Sequence, residues 1–356
     1  MRSAFNQLLP AFHLRDAIGD EARFLSQLAK SLGYRSHIFC LEADAGAMSD
    51  VTPLADFAAC DGPDAINLLH YALPSPLSDM LRGSRGHKIL LYHNITPPHW
   101  FASESRELVH IARAGRAQLV SLAGAVDLAL ADSEYNRMEL EQMGFAPSGV
   151  LPIAVDWRRY EASSNPVLLK MFADDFTNIL FVGRVTPNKR HEHVIRVYGC
   201  YKRFVRERSR LFLVGKWSGF PKYYTRLRQM VDRAKLGDVY FTGAVTQQEL
   251  VTFYRLADVF LSMSEHEGFC VPLLEAMHFG VPVLARAAAA VPGTLAGSGV
   301  LISPVATPLE IAWVAHELVM NQPLRSKIID GQREALAGYS SASIASRFQD
   351  ALTGLG

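Results

Sequence analysis

The sequence predicts an α/β fold made of two Rossmann-like domains of similar size. Three observations predict it. Short apolar runs alternate with longer amphipathic stretches almost throughout, which is the rhythm of parallel sheets covered by helices on both faces. A polar break at residues 151–166, bounded by Pro152 and Pro166, interrupts the rhythm, which then restarts. And 356 residues are enough for two domains of ordinary size.

In the first half the strand-like runs are residues 4–9, 37–41, 66–70, 88–93 and 126–131. Between them lie helix-like stretches at residues 20–32 and 104–122. The first of these places Ala22, Leu25, Leu28, Ala29 and Leu32 on one face. After the break, strand-like runs follow at residues 178–182, 211–214, 239–241, 259–261 and 281–285. The domains are therefore expected at residues 1–165 and 166–340. In open sheets of this kind, ligands bind beyond the carboxyl ends of the strands. The polar residues just after each run are the ones that carry chemistry.

Composition excludes several classes. Lys plus Arg is 36 and Asp plus Glu is 35, a net charge of +1, which argues against a nucleic-acid binder. Cys40, Cys60, Cys200 and Cys270 are far apart, with no C-x-x-C pair, so neither a zinc site nor a disulfide framework is expected. No run of about 18 apolar residues occurs, so no membrane span is expected. The first 21 residues turn polar quickly and make a poor signal peptide. A cytoplasmic location follows.

Four stretches stand out. In FVGRVTPNKRH, residues 181–191, an apolar run ends at Gly183, and Arg184 and Lys189 follow before a helix-like stretch. Two cations beside a helix start suit an anion, although either one alone reads as a solvated surface charge. In DAIGDEARFLSQLAKSLG, residues 16–33, Gly19 precedes a helix that Asp20 would cap. No G-x-G-x-x-G and no G-x-x-x-x-G-K-[ST] occurs, which counts against a dehydrogenase and a P-loop. In ILLYHNITPPHWF, residues 89–101, His93 sits where an apolar run ends, equally suited to a site or to a structural hydrogen bond.

The fourth is SEHEGFCVPLLEAM, residues 264–277. Pro272 suits the first position of a helix, so the N–H groups of Cys270, Val271 and the residues just beyond would face an anion. Glu267 and Glu275 flank that point. Carboxylates only accept hydrogen bonds, so they would repel phosphate and grip sugar hydroxyls. The pair suits a molecule of the form ribose–diphosphate–sugar. The plainer reading is a helix start with a favourable charge.

Together these residues resemble the retaining, nucleotide-sugar-dependent glycosyltransferases of family 4. The similarity rests on E-x7-E from Glu267 to Glu275, G-R-x4-K from Gly183 to Lys189, EGFCVPLLEAMHFGVPVLA, LVGKW, VYFTGAV and LADVFLSMSEHEGF. It covers nearly all of the second domain, and the first through order and position. The resemblance implies the GT-B fold, with a cleft between the domains and a final helix, residues 341–356, crossing back onto the first. It implies that Arg184 and Lys189 bind the donor diphosphate, that Glu275 holds the ribose, and that Glu267, Phe269, Cys270 and Val271 contact the transferred sugar and the phosphates. Gly19 matches the glycine-containing loop after the first strand, and His93 the first-domain histidine near the donor sugar. Where many members carry two adjacent glycines this chain has AIGD, and Gly293 stands where members usually carry Glu.

The implied reaction moves a hexose from a nucleoside diphosphate sugar to an acceptor hydroxyl with retention. No D-x-D occurs in the chain, which fits transfer with no metal and no cofactor. The acceptor expected is a glycan or a lipid-linked saccharide in polysaccharide biosynthesis. Arg106, Arg113 and Arg116 suit an anionic membrane at its cytoplasmic face. YKRFVRERSR, residues 201–210, reads as a solvated helix face. The competing readings are a non-catalytic nucleotide-sugar-binding protein and a sugar-nucleotide epimerase, which the two motifs fit poorly.

Overall fold

A computed structural model describes residues 3–13 and 16–355. The chain divides into two units, Met1–Asp156 with Gly338–Gly356, and Trp157–Ala337. In the first, strands β1 (Ala4–Phe12), β2 (Arg35–Ala43), β3 (Ile66–Tyr71), β4 (His87–Tyr92), β5 (Leu128–Ala131) and β6 (Ser148–Val150) form one sheet in the order β2-β1-β3-β4-β5-β6. In the second, β7 (Thr177–Val182), β8 (Ser209–Val214), β9 (Val239–Gly243), β10 (Val259–Ser262), β11 (Val283–Arg286) and β12 (Val300–Ile302) form another, in the order β12-β11-β10-β7-β8-β9. All the strand pairs are parallel.

Both orders reverse direction once. The reversal lies between β1 and β3 in the first sheet and between β7 and β10 in the second. At such a point the loops leaving two neighbouring strands part to opposite faces and open a crevice at the carboxyl ends. The residues following β7 and β10 are those of the second and fourth stretches, Gly183–Lys189 and Ser264–Glu275.

Each sheet has one strand more than the apolar runs indicate. β6 and β12 are three residues each, too short to show a period. The first helix, Ala17–Ser31, begins earlier than the apolar face suggests and buries Ala22, Leu25 and Ala29 fully. The final helix, Ser341–Thr353, contributes Ile344, Phe348 and Leu352 to the core of the first unit, and Phe348 meets Phe5 edge to face at 5.4 Å. Burying one such ring is worth roughly 1.5–3 kcal/mol, enough to dock the terminal helix on that sheet. Gly356, the last residue expected in that helix, lies outside the described residues.

The break between units falls at Asp156/Trp157, not at 165/166. The Trp157 indole stacks on His278 at 4.8 Å, and the Tyr160 hydroxyl donates to Glu275. The stretch expected as a linker is thus already fastened to the second unit. Among the described residues no helix is long and apolar enough to cross a membrane, and all four cysteines are free.

Candidate functional site

In the second unit the site is built from two loops. Gly183 follows the end of β7 at Val182, and Gly215 follows the end of β8 at Val214. A Cβ on Gly215 would lie 2.0 Å from the Gly183 carbonyl oxygen, so this close backbone approach admits only glycine. Val185 N–H then donates to the Lys216 carbonyl at 2.8 Å, and a short 3₁₀ turn, Pro187–Lys189, leads into the helix His191–Cys200.

Asn188 joins this turn to the loop after β10. Its side-chain amide donates to the His266 carbonyl at 2.9 Å, and its own carbonyl accepts from Glu265 N–H at 2.9 Å. From the other side, Ala290 N–H donates to the Glu267 carbonyl at 3.2 Å, and the Thr294 hydroxyl to the Phe269 carbonyl at 2.6 Å. The loop carrying Glu267 is therefore held at both edges before any ligand arrives.

Lys189 and Glu267 meet directly. The ammonium lies 2.6 and 2.5 Å from the two carboxylate oxygens, with the side chains 19% and 7% exposed. Burial works against the Lys189 charge, but the Glu267 carboxylate outweighs it and holds Lys189 above the usual lysine range. Arg184 is exposed, carries no ion pair among the described residues, and is close enough for its charge to act on Lys189. A fixed cation locked by a carboxylate therefore sits near an exposed guanidinium.

Cys270 adopts a left-handed conformation (φ 77°) and starts the helix Val271–His278. Leu273 N–H is already engaged by the Cys270 carbonyl at 3.0 Å, so one of the expected anion-facing donors is used internally. Phe269 and Cys270 are buried, and burial pushes the Cys270 thiol well above the ordinary thiol range. Val271 is half-buried. Neither the Phe269 ring nor the Cys270 thiol is presented as a contact surface.

Glu275 differs most from expectation. It is not an open carboxylate. It is 7% exposed, one oxygen accepts from the Tyr160 hydroxyl, and the other accepts from Tyr254 at 2.5 Å. Burial raises its pKa, against the pull of the two hydroxyls and of Arg159. Each carboxylate oxygen has two acceptor positions, so capacity for a further hydroxyl remains on a group whose orientation is already fixed. The two tyrosines carry no motif of their own in the sequence.

In the first unit, two readings are corrected. Asp20 does not cap the helix. The N-cap position is Asp16, whose side chain makes no capping bond, and Gly19 lies inside the first turn of Ala17–Ser31. Gly19 is needed because a Cβ there would lie 2.4 Å from the His13 carbonyl oxygen. His93 follows β4 as expected, but its ring is only 2% exposed. Its Nδ1 is 2.9 and 3.1 Å from the Asp132 oxygens, and its Nε2 is 2.9 Å from His70 Nδ1. Both ring nitrogens are thus engaged inside the unit. Strand register places these partners: Tyr92 pairs with Tyr71 and with Ala131, so the residues next to those pairs converge. Glu21, His70 and Asp132 were missed in the sequence. His70 ends an apolar run just as His93 does, and that parallel was the available signal.

Comparison with known proteins follows the same division. Residues 171–335, most of the second unit, match the family described as Glycosyl transferases group 1. A GDP-mannose-dependent alpha-mannosyltransferase of Mycobacterium tuberculosis (strain CDC 1551 / Oshkosh) is 31% identical over 236 residues, 65% of this chain and 56% of that protein. The O-antigen chain mannosyltransferase B of Escherichia coli is 30% identical over 147 residues, 41% of this chain and 38% of that one. The chain thus matches about half, or less, of these curated relatives. Among solved structures, Anabaena HepE in complex with UDP superposes with a TM-score of 0.74 at 16% identity, covering 99% of this chain and 100% of the other. That likeness is one of fold, the GT-B arrangement of two parallel-sheet domains.

Proposed function

We propose that this chain is a retaining glycosyltransferase of family 4 that moves a hexose from a nucleoside diphosphate sugar to an acceptor hydroxyl. The observation that carries the reading is the Lys189–Glu267 pair beside Arg184, on the two loops that flank the reversal of the second sheet. The match of residues 171–335 to glycosyl transferases group 1 supports it. GDP-mannose is the first donor to test, because two mannosyltransferases, one of them named as GDP-mannose-dependent, are among the relatives. A glycan or lipid-linked saccharide is the acceptor class, and the cytoplasmic face of a membrane is the proposed setting.

In this reading Arg184 and Lys189 hold the diphosphate. Negative charge grows on it as the sugar leaves, and cations fixed beforehand favour that state over the bound donor. Glu267 orients Lys189 and accepts hydroxyls of the transferred sugar. Glu275, steadied by Tyr160 and Tyr254, accepts a ribose hydroxyl. The acceptor attacks from the face the phosphate leaves, and the departing phosphate takes its proton, so the configuration is kept. The donor contacts proposed for His93 and Gly19 run through main chain more than through the buried His93 ring.

Because D-x-D is absent and two cations occupy the phosphate position, transfer needs no metal. Donor-dependent release of nucleoside diphosphate should persist in excess EDTA. Loss of that release, restored by magnesium or manganese, overturns the metal-free mechanism.

A further inference from the structure

The buried group around His93 does more than fill the core. Its proton positions follow from its neighbours. Gln7 donates its amide N–H to the Ala22 carbonyl at 2.9 Å, which turns its oxygen toward His70 Nε2, also 2.9 Å away. His70 Nε2 therefore carries a hydrogen, and because burial and the His93 charge keep this ring neutral, His70 Nδ1 is a bare lone pair. That lone pair faces His93 Nε2 at 2.9 Å. Only a hydrogen on His93 Nε2 makes this contact attractive. On the other side of the ring, Nδ1 faces the Asp132 carboxylate and must carry a hydrogen as well. A ring with both nitrogens protonated is an imidazolium.

Glu21, His70 and His93 also lie close enough to suggest a metal site. Ring geometry argues otherwise. The two rings are parallel within 8°, with centroids 5.2 Å apart. A nitrogen separation of 2.9 Å plus the two ring radii accounts for that spacing, so the rings lie edge to edge and the facing nitrogens point at each other. A zinc ion bonds imidazole nitrogen at about 2.0–2.1 Å and would have to sit off that line, where neither lone pair points.

We propose that His70 and Asp132 are positioning residues for the transfer reaction, which hold His93 as an imidazolium with both N–H groups directed inward. The His93 ring is 2% exposed while the residue as a whole is half-buried, so the part that faces solvent is its main chain. Asn94 follows in a left-handed conformation (φ 76°). The buried charge anchors the turn from which that main chain is presented. The assignment of a role in transfer rests on the functional reading above, whereas the charge state of the ring does not.

The charged groups facing this ring are consistent. Burial alone would push His93 down, but the Asp132 charge and hydrogen bond, then Glu21 and Asp16, carry it up to about 9. Burial pushes Glu21 up to about 8, with Asp132 adding and His93 opposing. Burial and the His93 charge keep His70 well below the ordinary histidine value. Burial raises the Asp132 carboxyl as well, with the His93 charge and hydrogen bond opposing, and near neutral pH His93 is cationic while Glu21 and His70 are uncharged. His93 and Glu21 keep their protons in the folded chain beyond the unfolded values, so the stability they contribute declines as pH rises toward 8 to 9.

The test uses the full chain labelled with ¹⁵N-histidine. At pH 7 both His93 ring nitrogens should show the shifts of protonated nitrogens, and Glu21→Gln should move the loss of that signature to lower pH. In turnover assays, His70→Leu should lower kcat at least tenfold and bring its alkaline limb to lower pH, with KM for the donor changed less than threefold. His70→Gln, whose amide oxygen can accept from His93, should restore most of it. A His93 ring with one unprotonated nitrogen at pH 7, or a His70→Leu alkaline limb like that of the wild type, overturns the proposal. If the wild type transfers no sugar, the functional reading fails separately, and the nitrogen shifts still decide the state of His93.

Discussion

Replacing Lys189 by alanine should lower turnover about 10²–10³-fold, the scale seen when one preorganised donor to a developing anion is removed. Donor affinity should fall much less, because in the proposed reaction the ammonium acts most strongly on charge that grows as the sugar departs. The geometry adds a second effect. Glu267 is 7% exposed and loses its partner, so the folded state should weaken by about 3 kcal/mol, the low end for breaking a buried ion pair. The two effects can be separated. In Lys189→Ala with Glu267→Gln no unpaired carboxylate remains, and stability should largely return while turnover does not. Lys189→Arg should recover activity only in part, since a guanidinium is larger and directs its donors in a plane, and the buried space that holds a compact ammonium must rearrange to admit it. A Lys189→Ala enzyme that turns over within a factor of about three of the wild type would reduce this residue to a structural cation.

Glu275 carries the second large effect. Alanine there leaves the Tyr160 and Tyr254 hydroxyls without their acceptor, and each unsatisfied buried group costs about 1–3 kcal/mol. Glu275→Ala should therefore lose several kcal/mol of stability by these magnitudes, and any loss of nucleotide binding would be ambiguous. Glu275→Gln keeps the shape and one acceptor oxygen. It should weaken binding of the donor nucleotide roughly tenfold to a hundredfold, the worth of a charge-assisted hydrogen bond of about 1.5–3 kcal/mol, with a smaller loss of stability than the alanine. Calorimetric titration of both variants separates the two roles. Unchanged nucleotide affinity in Glu275→Gln removes the ribose assignment and leaves Glu275 as a structural acceptor for two phenols.

The sequence made the layered architecture legible because short apolar runs set between amphipathic stretches mark strands buried on both faces. β6 and β12 escaped because three residues show no pattern. The boundary was misplaced because Trp157 and Tyr160 pack on His278 and Glu275 more than 110 positions away, a long-range contact that local composition does not signal. Placement of the second-unit loops was legible for the same reason that the motifs are specific: Gly183, Lys189 and Glu267 lie on the loops that leave β7 and β10, whose positions the strand order determines. What was hidden is how these groups are already satisfied. Neither the tyrosines on Glu275 nor the His70 and Asp132 contacts that enclose His93 follow from spacing along the chain. The His93 contacts follow from sheet register, which sets Ala131 and Tyr71 beside Tyr92.

The central claim is that the loops after β7 and β10 form a nucleoside diphosphate site, and direct titration of the full chain tests it most simply. Calorimetry with GDP-mannose, and with UDP, GDP and ADP sugars beside it, should give saturable binding of one nucleotide per chain for at least one donor, without added metal. Arg184→Ala should weaken that binding at least tenfold while leaving thermal stability near that of the wild type, because the exposed guanidinium has no ion-pair partner among the described residues to abandon. Absence of binding for every nucleotide sugar, or an Arg184→Ala chain that binds as the wild type does, contradicts the account.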